Sequence, residues 1–243
     1  MKYIIDKGTD YPKILEVLLI MVLIILATGC KSDNVPTTQK LKKPSTIIKK
    51  KPEPLFDYDT TEWTELTEKD GFYLDLKYAT TDNFTSQPIY PCGRCFLKKE
   101  CAKQLIEAQR YIGQKYGLKL VLYDCYRPIS AQKKLWDIVP NINYVTPPEK
   151  GSMHNRGLGV DLSLMDRQGK LWNMGTEFDY FGAESHIDFK NLDYQILKNR
   201  MALTQIMNTF GFKGIKTEWW HYSYRGIHSE IKNWQWECPD EAK

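Results

Sequence analysis

The chain has 243 residues, 42% of them hydrophobic and 26% charged, which suits one globular domain with appendages. Its formal charge of +4 sits outside the folded part. Residues 1–29 set Lys2, Lys7 and Lys13 against Asp6, Asp10 and Glu16, and residues 31–54 set seven lysines against Asp33 and Glu53, leaving −1 for residues 55–243. The pI near 8.6 is therefore no argument for a polyanionic partner.

In chain order, the first feature is an uninterrupted apolar run from Val17 to Ala27, short for a bilayer span but suited to the core of a secretory signal. It ends in Leu26-Ala27-Thr28-Gly29-Cys30, which resembles a bacterial lipobox. The expectation is a signal peptide over 1–29, lipidation at Cys30, and export to a bacterial membrane, periplasmic or cell-surface. Residues 30–54 are rich in Lys, Pro and Thr, have no apolar periodicity and interleave no aromatic residue, so they read as a solvated tether and not as a nucleic-acid contact. Residues 55–243 are then the folded domain.

Gly71 to Tyr78 alternates like a strand. Lys98 to Tyr116 places Ala102, Leu105, Ile106, Ile112 and Tyr116 at helical spacing, with Gly117 as its C-cap. Leu118 to Tyr123 is a β-rich run that exits through Tyr126-Arg127-Pro128, and Ser130 to Val139 looks helical. Val160, Leu162 and Leu164 alternate with Asp161, Ser163 and Met165, a strand with one apolar face. Tyr194 to Phe210 is a predicted helix with Leu197, Met201, Leu203 and Met207 apolar, capped by Gly211, and Trp219 to Tyr224 has strand composition. These helical stretches and several short strands in mixed order argue for an α+β fold. Of six cysteines, Cys92 could bridge to Cys95, and either to Cys125 or Cys238; Cys101 lies on the helical pattern, and the connectivity stays open.

Only four histidines occur, and two stand in unusual surroundings. His154 lies in the glycine-rich Gly151-to-Asp161 stretch, whose glycines let positions seven apart converge. Asp161 faces away from the Val160/Leu162 apolar pair, and a carboxylate in a buried strand needs a partner such as a metal. His221, in Glu218-Trp219-Trp220-His221-Tyr222, supplies a third ligand, with Glu218 as a nearby carboxylate. Three ligands and an open position are the usual arrangement of catalytic zinc. In a regular strand residues three apart face opposite ways, so Glu218 and His221 can share a site only across a turn or bulge. His186 and His228 read as surface or structural residues.

SMHNRGLGVD resembles the S-x-H-x-x-G-x-x-x-D pattern of the zinc D,D-peptidases, and EWWHY their E-x-W-H element. DLKYATTDNFT, YDCYRP and MGTEFDYF, in the same order, are similar to the VanX-type D-alanyl-D-alanine dipeptidases in particular. The resemblance implies one zinc ion on His154, Asp161 and His221, Glu218 as catalytic base and Arg127 as transition-state stabiliser. It also implies a small mixed or antiparallel sheet with flanking helices, the fold shared with the Hedgehog signalling domain. Cys125 departs from the glycine usual beside that arginine and is free to pair with Cys95; the leader is a second departure. Asp179 is the candidate for the substrate ammonium, and Ser152 either bonds substrate or caps the glycine loop. The expected reaction is hydrolysis of a D,D-dipeptide in cell-wall metabolism. The alternatives are a D,D-carboxypeptidase acting on peptidoglycan stem peptides, disfavoured by the MGTEFDYF block, and a non-catalytic zinc-containing binding module, disfavoured by the presence of Glu218 and Arg127.

Overall fold

The computed structural model describes residues 56–142 and 144–239. The predicted signal, Cys30, the tether and the boundary at residue 55 lie outside the described residues. No helix among the described residues is long and apolar enough to cross a membrane.

The elements run β1 (Trp63–Leu66), β2 (Tyr73–Leu74), β3 (Cys95–Lys98), α1 (Lys99–Tyr116), β4 (Lys119–Asp124), α2 (Ile129–Ile138), β5 (Gly159–Met165), α3 (Tyr194–Thr209), β6 (Phe212–Ile215) and β7 (Glu218–Tyr224), joined by short 3-10 turns. A five-stranded sheet has the order β2-β4-β5-β7-β6, parallel only at its β2 edge, and β1 pairs with β3 in a separate ribbon. The α+β expectation holds, and each of the three stretches read as helical is an α-helix.

α1 forms because Cys101, Ala102, Leu105, Ala108 and Ile112 fall on one face, which is buried together with Leu120, Leu122, Val160, Leu162 and Leu164 of the sheet. Gly117, in the left-handed conformation, ends it: its N–H donates to the Gly113 carbonyl and that of Leu118 to the Ile112 carbonyl. α3 ends at Thr209, with Gly211 left-handed two residues on. Its buried stripe differs from the apolar reading: Asn199, Arg200, Leu203 and Met207 face inward, while Met201 is 55% exposed. A helix turns 100° per residue, so turning Arg200 inward carries Met201 off the stripe.

Gly71 to Tyr78 is a strand only over Tyr73–Leu74; Lys77–Ala79 is a 3-10 turn. Packing overrides the alternation there. The Tyr78 ring is buried edge-on to Phe84, Tyr90 and Phe178, and its backbone carbonyl accepts from Ile89 and Tyr90. A second, aromatic core gathers Trp63, Tyr78, Tyr90, Phe96, Tyr126 and Trp236. Disulfides join Cys92 to Cys238 and Cys95 to Cys125, and Cys101 is free and buried. The CxxC pair thus bridges outward to two distant cysteines and not to itself.

Candidate metal centre

His154, Asp161 and His221 reach the centre of the molecule from three backbone settings. Asp161 and His221 are cross-strand partners on β5 and β7. Both therefore project to the same side of the sheet. His154 comes from the turn before β5. Any side chain at position 159 would place its Cβ 2.7 Å from the His154 backbone nitrogen, so only glycine lets the turn fold back onto the strand. All three ligands are buried.

The inward atoms are His154 Nε2, Asp161 Oδ1 and His221 Nδ1. They stand 3.0 Å (His154–His221), 2.9 Å (His221–Asp161) and 3.2 Å (His154–Asp161) apart. The outward ring nitrogens are occupied. His154 Nδ1 donates to the Cys125 carbonyl at 2.7 Å, which fixes its tautomer and leaves an inward lone pair. His221 Nε2 pairs with Ser223 Oγ at 2.9 Å. Ligands 2.0–2.1 Å from a tetrahedral zinc stand about 3.3 Å from one another, so the spacing and the nitrogen–oxygen–nitrogen donor set both fit that ion. Burial alone would raise the Asp161 carboxyl, but the two imidazoles outweigh it and hold it well below the ordinary carboxylate range. Burial would lower His154, and Asp161 outweighs that in turn and raises it. Such a carboxylate between two imidazoles is an environment made for a cation.

Glu218 faces the same cavity, and the bulge that the residue spacing demanded is present. Gly214 of β6 pairs with Tyr222, and the very next residue, Ile215, pairs with Glu218, so Trp219, Trp220 and His221 bulge out of register with β6 while His221 keeps its pairing with Asp161 on β5. Burial pushes the Glu218 carboxyl up to about 7, with the neighbouring His221 pulling the other way.

Arg127 follows β4 and is buried. Its Nε and Nη2 donate to Asp124 Oδ2 at 3.0 and 2.6 Å, its Nη1 to Gln132 Oε1 at 3.0 Å, and its guanidinium lies 5.1 Å from the Tyr78 ring centre. Its backbone is stitched to the histidine turn. Arg127 N–H donates to the His154 carbonyl (3.1 Å), and Asn155 Nδ2 donates to the Arg127 carbonyl (2.7 Å). The Cys95–Cys125 bridge sits two residues from the arginine and leaves it in the cavity wall. Across the cavity, of about 740 Å³, lies the half-buried carboxyl of Asp179. Burial raises it well above its ordinary value, and Tyr78 Oη donates to it at 2.7 Å.

Residues 65–235 match the family described as "D-ala-D-ala dipeptidase". The chain belongs to this family. It is 40% identical over 165 residues to the D-alanyl-D-alanine dipeptidase of Escherichia coli (strain K12), an alignment covering 68% of this chain and 85% of that one. With the D-alanyl-D-alanine dipeptidase of Enterococcus faecalis (strain ATCC 700802 / V583) it shares 35% over 176 residues, 63% of this chain and 85% of the relative. The family match contains every residue of the cavity discussed above and leaves residues 1–64 outside it.

The remaining sequence candidates divide. Ser152 lines the cavity, and both its backbone N–H and its hydroxyl donate to Asn155 Oδ1, at 2.7 and 3.2 Å, so it also caps the turn. His228 is exposed, as expected, whereas His186, read as surface or structural, lines the cavity. The sequence reading passed over Tyr78, Asp124 and Ser223. Ser223 had a usable signal, since two residues beyond His221 on a strand is the same face. Asp124, which also takes a hydrogen bond from Tyr90 Oη (2.7 Å), had none, because its partners come from 3 and 34 residues away through folds in the chain.

Proposed function

We propose that the chain hydrolyses D-alanyl-D-alanine and similar D,D-dipeptides with one zinc ion held by His154, Asp161 and His221. The observation that carries the reading is the convergence, in one cavity, of three inward-facing ligand atoms with a buried carboxyl and a buried guanidinium that no purely structural site requires. Bound there, zinc supplies Lewis-acid polarisation of the scissile carbonyl and activation of water. Glu218, ionised, takes the proton from the attacking water and gives it to the departing amine. Arg127, already held in place by Asp124 and Gln132, hydrogen-bonds the charge that develops on the carbonyl oxygen. Asp179 receives the substrate ammonium; bringing in that cation draws the raised carboxyl into its ionised form. Ser152 stands where its hydroxyl can bond the substrate without leaving Asn155.

The test is hydrolysis of D-alanyl-D-alanine by the purified protein with and without a chelator, alongside zinc per chain. Absence of turnover in protein holding one zinc ion would instead favour a binding module. Preference for a stem pentapeptide over the free dipeptide would make it a D,D-carboxypeptidase. We further propose export and lipid anchoring at Cys30. The two disulfides support it, since such bonds persist in oxidising compartments. Membrane fractionation of the full chain against Cys30→Ala decides this, with the variant expected in the soluble fraction.

A further inference from the structure

The segment 174–186 carries Asp179, Tyr180 and Phe181 to the cavity without any helix or strand longer than a single 3-10 turn at Ala183–Ser185. Asp179 itself has φ of 58°, one of two non-glycine residues with positive φ among the described residues. That conformation is disfavoured for an aspartate and persists only when its surroundings enforce it. At the tip, Tyr78 Oη donates to Asp179 and the Ser185 hydroxyl to the Tyr180 carbonyl at 2.6 Å; at the base the segment is held by one buried side chain on α3. Arg200 Nε donates to the Met174 carbonyl at 2.6 Å, Nη2 to the Glu184 carbonyl at 2.8 Å and Nη1 to the His186 carbonyl at 3.0 Å. The preceding residue, Asn199, donates to the Asn173 carbonyl at 2.8 Å.

One guanidinium thus ties the beginning of the segment to its end, closing a loop whose tip is Asp179. No carboxylate is within ion-pair distance of Arg200 among the described residues, so the cation is spent on backbone carbonyls, stacked at 6.0 Å from the Trp219 ring. Gly175, next to the first of these carbonyls, has φ of 91°, and a Cβ there would meet Ile196 at 2.9 Å before Arg200 Nη2 at 3.3 Å. Lysine carries its three donors on one nitrogen and lacks the planar fork that here reaches three separate carbonyls.

We infer that Arg200 is a positioning residue for substrate specificity: by closing the 174–186 loop it fixes Asp179 where the ammonium of a dipeptide arrives. This rests on the dipeptidase reading, and the experiment separates the two. Wild-type turnover of D-alanyl-D-alanine is measured first; if there is none, the dipeptidase reading fails, while hydrogen exchange still reports on the loop. Arg200→Met is expected to speed amide exchange in 174–186 but not in β5 or β7, to keep one zinc ion per chain, and to raise KM about tenfold with kcat within about threefold. Arg200→Lys should lie between. In an Asp179→Asn background Arg200→Met should add less than about a twofold change in KM, because both act on one contact.

Three results would overturn the inference: unchanged exchange in 174–186, a full additional KM effect in the Asp179→Asn background, or loss of zinc and general protection in both Arg200 variants. The last would make Arg200 ordinary support for the fold.

Discussion

The two walls of the cavity solve the same problem by different means. On one, Asp161 and His221 are neighbours in a ladder of backbone hydrogen bonds, and the strand pairing alone fixes their separation. On the other, Asp179 hangs from an irregular loop in a disfavoured conformation and is held by Tyr78 Oη at the tip and Arg200 at the base. The metal wall needs precision of a few tenths of an ångström, and for Asp161 and His221 the strand pairing supplies it at the backbone. A substrate wall must admit and release a ligand, and a loop held by a few contacts is suited to that. Glu218 and Arg127 lie between these extremes, one on a bulge and the other at a strand exit stitched to the histidine turn.

The largest effect expected is on the shared chemistry. Glu218→Gln should lower kcat by about 10²–10⁴ while zinc per chain is unchanged, and near-normal turnover would remove Glu218 as the base. The contrast between walls is tested by a pair of variants. Ser223→Ala, which takes the partner from His221 Nε2, should weaken zinc affinity by about tenfold or more, read by competition with a chelator, and leave KM of the reloaded enzyme nearly unchanged. Asp179→Asn should do the reverse, raising KM by about tenfold with zinc affinity unmoved. If either variant moved both quantities together, the walls would not be independent.

The smallest effect is on stability of the metal-free protein. The Glu218 carboxyl is raised from its ordinary value to about 7 on folding, so its favourable contribution is complete below the unfolded pKa and is lost as pH rises through about 7. Metal-free Glu218→Gln should therefore melt a few degrees above the metal-free parent at pH 8 and level with it at pH 4, by calorimetry.

Much of the fold was legible because its signals are local. α1, α2, β4, β5 and β7 each lie within two residues of the expected bounds, since apolar periodicity and glycine stops act over a single turn or strand. The misses lie where distant residues decided. β2 stops after two residues because Tyr78 is drawn into an aromatic core built from six separate segments. Met201 is exposed because the loop's carbonyls claim Arg200 for the inside.

By itself, the sequence determined the chemistry available: two histidines and an aspartate with the softness zinc prefers, a carboxylate three residues before the last ligand, and glycines that let the chain turn back on itself. From the spacing of Glu218 and His221 it even required the bulge now seen between them. What only the tertiary structure decided is how those groups are aimed. The Cys125 carbonyl chooses the His154 tautomer, Cys95 and Cys238 choose their disulfide partners, and Arg200 sets the loop that carries Asp179. The reason is physical: residue type and neighbour spacing act along the chain, whereas hydrogen bonds, disulfides and burial pair groups that only folding brings within reach.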